Sequence, residues 1–155
     1  MPCKKCGCLD FARAAWLSTG GQFVLVTAPG FPDVAPLPGT RNKGRVVGNG
    51  FLLKENGVEV TCSGRYRLDI SAVLLGGNVT QTFTLISGID GVFDFQTENA
   101  AGLSNTLQPS QVLTFKDCND VILQKGQVVS LGVSANTATD VLLISWSVLL
   151  TKLFF

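Results

Sequence analysis

Histidine is absent from this 155-residue chain. That absence removes the Ser-His-Asp and Cys-His arrangements of nucleophilic catalysis, and every imidazole metal site with them. Charge is scarce as well: 15% of the residues are Asp, Glu, Lys or Arg, against about a quarter in an ordinary globular chain. Much of the surface must then be uncharged or covered by a partner, and self-association is the expected consequence. No window offers the roughly 18 uninterrupted apolar residues of a membrane span. The most apolar one, Val141 to Leu150, is far too short, so no membrane insertion is expected. A secretory signal is also missing, because CKKCGCLDFARAAW interrupts its apolar residues with Asp10 and Arg13. The expectation is a protein that stays where it is made, is already processed, or is released by lysis.

The charges that are present are unevenly placed. Residues 1–45 hold six Lys and Arg (Lys4, Lys5, Arg13, Arg41, Lys43, Arg45) against Asp10 and Asp33, a balance of +4, while residues 46–155 hold six against nine acids, a balance of −3. The six basic residues are spread over some 40 positions with no cluster and no interleaved aromatic platform, so nucleic acid is not the expected partner. The carboxylate pairs Asp90/Asp94 and Asp117/Asp120 flank strands and read as turn residues. No base or acid stands out for catalysis, and no enzyme is expected. Asp90-Gly91, Asp94 and Asp117-Cys118-Asn119-Asp120 lack the ligand density of a calcium loop and read as solvated turns. Asn78-Val79-Thr80 matches a glycosylation sequon and is likewise read as a turn.

Cysteine supplies the one unusual chemistry. CKKCGC crowds Cys3, Cys6 and Cys8 into six residues, whereas Cys62 and Cys118 stand far apart in the body and read as small core residues. Three thiols fall short of the four ligands of a structural zinc site, and a redox Cys-x-x-Cys opens a helix in a βαβ unit that this chain does not offer. No metal and no cofactor is therefore expected. Five is an odd number, so complete pairing within the chain leaves a thiol over, and Cys3, Cys6 and Cys8 read as a covalent hook that forms disulfides between chains.

Three segments follow from the pattern: a cysteine-rich arm (1–20), a strand with a Pro/Gly-rich linker (21–45), and a body (46–155). Five of the six prolines lie in the first 40 residues, and APGFPDVAPLPG cannot sustain a helix or a central strand. Asp10 is placed to cap a short helical turn over Phe11, Ala14, Ala15 and Leu17, and QFVLVT (22–27) reads as a strand. Phe11, Trp16 and Leu17, with Phe23 and Leu25 of that strand, offer apolar surface for docking the arm on a neighbour. Beyond Val46 the period becomes two. Tyr66, Leu68, Ile70, Ala72 and Leu74 alternate with Arg65, Arg67, Asp69, Ser71 and Val73, as in a strand with one buried face. VTQTFTLI, VFDFQT, SQVLTF, DVILQ, QVVSLGVSA and VLLISWSVLLTKL continue the series, rich in β-branched and aromatic residues and punctuated by Gly, Asn, Asp and Ser. Such a series predicts an all-β antiparallel sandwich. The last run is apolar on both faces and reads as an inner strand, or one that meets a neighbouring subunit.

The order of GRYRLDISAVL, QKGQVVSLGV and VLLISWSVLLTKL resembles the tumour-necrosis-factor and complement globular-head jelly-roll superfamily. Gly64-x-Tyr66, the run Gly126 to Leu131 and the run Trp146 to Leu150 carry the likeness, with Gln127 where the family often has Asp. It covers about residues 46–155. Within the superfamily the chain is similar to the C-terminal domains of bacterial spore-surface collagen-like proteins, but it has no Gly-X-Y repeat, which excludes a triple-helical stalk. The resemblance implies a TNF-like jelly-roll trimer, with Tyr66, Phe83, Trp146 and Leu150 in the core or at its axis. It also implies an endospore appendage or exosporium fibre subunit, its trimers stacked head to tail into a filament through N-terminal arms and intermolecular disulfides, with a spore-surface anchoring protein as a further partner. Two other classes share this body: a fibre-tip head that binds a receptor or glycan, and a viral or phage capsid or decoration protein.

Overall fold

The computed structural model of the chain describes residues 10–26, 35–36, 44–55, 57–94, 97–136 and 139–154. In chain order the strands are β1 (Phe11–Val26), β2 (Ala35–Pro36), β3 (Arg45–Val47), β4 (Phe51–Lys54), β5 (Gly57–Val60), β6 (Gly64–Leu75), β7 (Gln81–Ile89), β8 (Gly102–Leu107), β9 (Val112–Leu123), β10 (Val128–Ala135) and β11 (Thr139–Phe154), with no helix among the described residues. One sheet runs β3-β1-β11-β6-β9; the other runs β4-β5-β10-β7-β8, with β2 added to β10. Every pairing is antiparallel. The inner faces of the two sheets bury one continuous core, the arrangement of a jelly-roll sandwich.

Alternation in β6 does what its period predicts. Tyr66, Leu68, Ile70, Ala72 and Leu74 are buried, while Arg65 and Arg67 are exposed and Asp69, Ser71 and Val73 are half-buried. Across the core they face an inner layer that includes Val129, Leu131 and Val133 of β10 and Phe83 and Leu85 of β7. Each such large apolar side chain contributes roughly 1.5–3 kcal/mol on leaving water.

Several expectations change. No helical turn follows Asp10: residues 11–26 form β1, paired with β11 at Phe11–Leu17 and again at Gln22–Val26, with a register shift between them. Ala12 and Ala14 point inward and are buried while Arg13 is exposed, so tertiary pairing overrides a local preference for helix. The sandwich therefore begins well before Val46. The proline-rich stretch holds one short pairing, Ala35 and Pro36 against Val133 and Gly132; the remainder of that stretch lies outside the described residues. Of VFDFQT (92–97), the described residues make a single bridge, Ile89 to Val92, and no strand. SQVLTF and DVILQ are not two strands. They fuse into β9, which passes straight through Asp117-Cys118-Asn119-Asp120. The last strand, β11, is an inner strand as expected, but the strand buried on both faces is β10, which carries Ser130, Gly132 and Ser134 on its second face.

Tyr66 sits at the base of the core. It is completely buried, donates its hydroxyl to the Cys62 carbonyl oxygen, and meets Phe51 edge to face with ring centroids 5.7 Å apart. Burial pushes its pKa from 10.0 up to about 12. The folded state thus keeps a proton that the unfolded chain releases, so this contribution to stability is intact below pH 10 and is lost as pH rises toward 12. The loss should approach roughly 3 kcal/mol. Tyr66→Phe should cost about 1 kcal/mol at neutral pH and flatten the alkaline fall in urea midpoints. Parallel alkaline losses in the two proteins would show that Tyr66 is not responsible.

Candidate interaction surface

The outward face of the β3-β1-β11-β6-β9 sheet can be read row by row from its register. A bulge between Leu143 and Ser145 shifts the phase of β11. Leu143, Trp146, Val148 and Leu150 turn inward and are buried, and Leu142, Ser145, Ser147 and Leu149 are left half-exposed on the outside. At one end of the face Leu142, Leu75 and Val112 stand side by side, followed by Ser145, Val73 and Thr114. Val112 is 56% exposed. Next come Ala15, Ser147, Ser71 and Lys116, and then Arg45, Arg13, Leu149, Asp69 and Cys118. An aliphatic band thus gives way to hydroxyls and then to charge.

Exposed ion pairs occupy the charged end. Arg67 lies 3.5 Å from Asp69 and Arg65 lies 3.1 Å from Asp120, contacts worth at most about 1 kcal/mol each in water. Arg13, Arg45 and Lys116 are exposed and form no ion pair among the described residues. Two shallow hollows, of about 680 and 700 Å³, adjoin here and share Arg13, Ser71, Ser147 and Leu149.

The β9 edge of this sheet is covered by side chains. Asn99 stands in for a neighbouring strand: its amide nitrogen donates to the Ile122 carbonyl (2.7 Å) and its oxygen accepts from the Ile122 N–H (2.6 Å). Asn119 donates to the carbonyls of Glu98 and Ala100, and the Gly102 N–H donates to Asp117. The residues that looked like turn formers in the sequence instead fasten the 97–101 loop across the end of the sandwich, one of the ways a sheet edge is kept from pairing with other chains.

At the start of β1 a buried ion pair joins the two ends of the chain. The Lys152 ammonium lies 3.7 Å from Asp10 Oδ2, with side-chain exposures of 7% and 2%, and it donates to the Asn49 carbonyl. Neither Asp10 carboxylate oxygen has a hydrogen-bond partner among the described residues. The turn above them must be glycine. Gly48 and Gly50 hold φ of +84° and +105°, and a Cβ on Gly48 would lie 2.0 Å from Asp10 Oδ1. Breaking a buried pair from one side costs more than removing both charges. Lys152→Met should therefore destabilise by about 3–5 kcal/mol, and Asp10→Leu combined with Lys152→Met by distinctly less. Urea unfolding of both variants checks this; equal losses would mean the charge pair carries no special weight.

The residues singled out from the sequence fall in different places. Tyr66, Phe83, Trp146 and Leu150 are all buried, none more than 2% exposed, inside the sandwich of one chain. Phe11 is half-buried in β1. The backbones of Trp16, Leu17, Phe23 and Leu25 pair with Trp146, Ser145, Leu142 and Asp140 of the chain's own β11. Cys3, Cys6 and Cys8 lie outside the described residues. Neither remaining cysteine is a plain core residue: Cys62 is buried and disulfide-bonded, and Cys118 is an exposed free thiol with the Arg67 guanidinium 3.5 Å from its sulfur. Asp90 serves its turn, with φ +53° and its carboxylate accepting from the Val128 N–H. Among the described residues no group of three His, Cys, Asp or Glu is placed to hold a metal, and no helix is long and apolar enough to cross a membrane. The juxtaposition of Arg13 with Arg45 had no sequence signal, since it depends on β3 returning beside β1.

With strand order and register known, the chain can be set beside solved structures. It superposes on murine APRIL at pH 5.0 with a TM-score of 0.57 and 13% identity, covering 94% of this chain and 99% of that one. Eiger TNF from S. frugiperda gives 0.58 and 16%, covering 94% and 93%. The fold is a TNF-like jelly roll. At these identities the likeness is one of fold. No protein-family model matches the chain, and no curated protein does.

Proposed function

We propose that the chain is a non-enzymatic structural subunit of a cell or spore surface, whose TNF-like jelly rolls associate as trimers and stack into a fibre. The observation that carries this reading is the band of Val73, Leu75, Leu142 and Val112 on the outward face of the five-stranded sheet. Aliphatic side chains gathered on one sheet face, in a chain with so few charges, mark a surface that gains from being covered. At about 25 cal/mol per Å² of apolar area, covering it offsets the entropy of association only when the contact is large and well packed. A second copy of this chain is the partner such a face suits.

Stacking into a fibre is assigned to the N-terminus. Because β1 is paired with the chain's own β11, the joint between trimers falls to residues 1–9. Those of Cys3, Cys6 and Cys8 that are not taken up by the disulfide of Cys62 make it covalent through disulfides between copies, and contacts that repeat without closing extend it into a filament. The spore-surface setting rests on the resemblance of residues 46–155 to spore-surface proteins. A second reading, a trimeric head at a fibre tip, is favoured by the hollow beside Arg13.

Sedimentation equilibrium of the full chain under reducing conditions should give a trimer mass, and Leu75→Glu with Val112→Lys should give a folded monomer. A wild-type monomer would end the trimer reading. On oxidation the wild type should form fibres by negative-stain microscopy, with ladders on non-reducing gels. Changing Cys3, Cys6 and Cys8 together to Ser should abolish the ladders; if ladders persist, the joint lies elsewhere.

A further inference from the structure

We infer that the charged half of the same sheet face is a binding trough for sulfate or phosphate groups, and that it is built to take several of them along one polyanionic chain. Arg13 and Arg45 are register partners on β1 and β3, exposed and in no ion pair among the described residues. Two guanidinium groups brought together by register repel each other unless an anion lies between them. Planar, forked donors match the oxygen geometry of sulfate and phosphate.

The floor beside them supplies hydroxyls. Ser147 and Ser71 are paired across β11 and β6 with their oxygens 3.3 Å apart. Each keeps capacity to donate or accept, because a hydroxyl has one donor and two acceptor sites. Leu149, next to Arg13 in its row, gives the hollow one apolar wall. Lys116 continues the hydroxyl row on β9. Its backbone stands three strand spacings from that of Arg13, about 14 Å across the sheet, and both side chains line the same hollow. Two acids also line this hollow: Asp69 is paired with Arg67, and Asp117 accepts from the Gly102 N–H and keeps its charge, so the net positive charge of the trough lies at its Arg13–Arg45 end. Spaced cations at the two ends with hydroxyls between them match a polyhydroxylated polymer bearing repeated anionic groups, a sulfated or phosphorylated polysaccharide. A compact free oxyanion would use the Arg13–Arg45 end alone.

The test uses the full chain and three probes: a sulfated oligosaccharide, inorganic sulfate or phosphate, and duplex DNA. Binding of the labelled oligosaccharide, read by fluorescence anisotropy at fixed ionic strength, should weaken by about tenfold or more in Arg13→Gln/Arg45→Gln, the loss of two charge-assisted contacts. It should be restored only in part by Arg13→Lys/Arg45→Lys. Lys116→Gln should weaken the oligosaccharide more than inorganic sulfate, whereas Lys125→Gln, an exposed cation elsewhere, should change neither. Competition by millimolar inorganic sulfate assigns the arginine end to a single oxyanion; competition by the oligomer alone assigns the whole trough to a polymer. Binding that is unchanged in Arg13→Gln/Arg45→Gln, that falls equally in Lys125→Gln, or that is matched by duplex DNA of equal charge overturns the proposal. Sedimentation of the same variants separates this outcome from a failure of the trimer.

Discussion

The antiparallel pairing of the first strand with the last is the constraint on which this architecture turns. β1 pairs with β11 over Phe11–Leu17 and Gln22–Val26, so the first and last strands are neighbours inside one sheet. Contacts of this kind have the longest sequence separation available, and their loop-closure entropy must be met before they return any stabilisation. The buried Asp10–Lys152 pair sits where that closure begins. Charged groups are a poor source of stability in a core, but an unmatched partner is costly enough to disfavour any register that separates them. Two chain ends that must meet in one register also fix which residues of β1 face outward. Arg13 therefore reaches the outer surface beside Arg45 only because β1 is held in this phase.

How much of this was legible in the sequence depended on whether a residue's role was set locally or by a partner. β6 was legible because one of its faces is buried along its whole length, so Tyr66 to Leu74 obey period two without interruption. β9 was not. Asp117, Cys118, Asn119 and Asp120 are turn formers by composition, but Asp117 accepts from Gly102 at the start of β8 and Asn119 donates to the 97–101 loop, and the strand runs on. β11 misled in another way, since apolar residues on both faces suggested double burial. The bulge at Leu143/Ser145 moves Trp146 inward and leaves Ser145 and Ser147 outside. A bulge adds one residue to one strand, and nothing in a single sequence marks it here. The helical reading at Asp10 failed because alanines suit a helix intrinsically, whereas here Ala12 and Ala14 are small enough to bury against the opposing sheet.

The two sides of the sandwich solve the problem of sparse charge differently. β10, in the middle of its sheet, is buried on both faces and carries Ser130, Gly132 and Ser134 on the second, small residues that let covering atoms approach the strand closely. The five-stranded sheet does not. Its outer face leaves aliphatic residues half-exposed at one end and, at the other, cations in no ion pair among the described residues. The β9 edge, by contrast, is fastened by Asn99 and Asn119. One edge blocked and one face left open is a pattern that, on this side of the sandwich, favours face contacts over strand addition at β9.

That division of one face bears on how far a second copy can cover it. Burying Arg13, Arg45 and Lys116 against an apolar surface would cost several kcal/mol per charge, well beyond what the neighbouring aliphatic band returns. A contact over Leu75, Leu142 and Val112 must therefore stop short of the serine row, or bring anionic groups with it. The first case leaves the trough open beside each interface; the second makes an anion part of the contact. In either case the cations set the limit of the apolar contact, and the same register that fixes the core decides where on the face that limit falls.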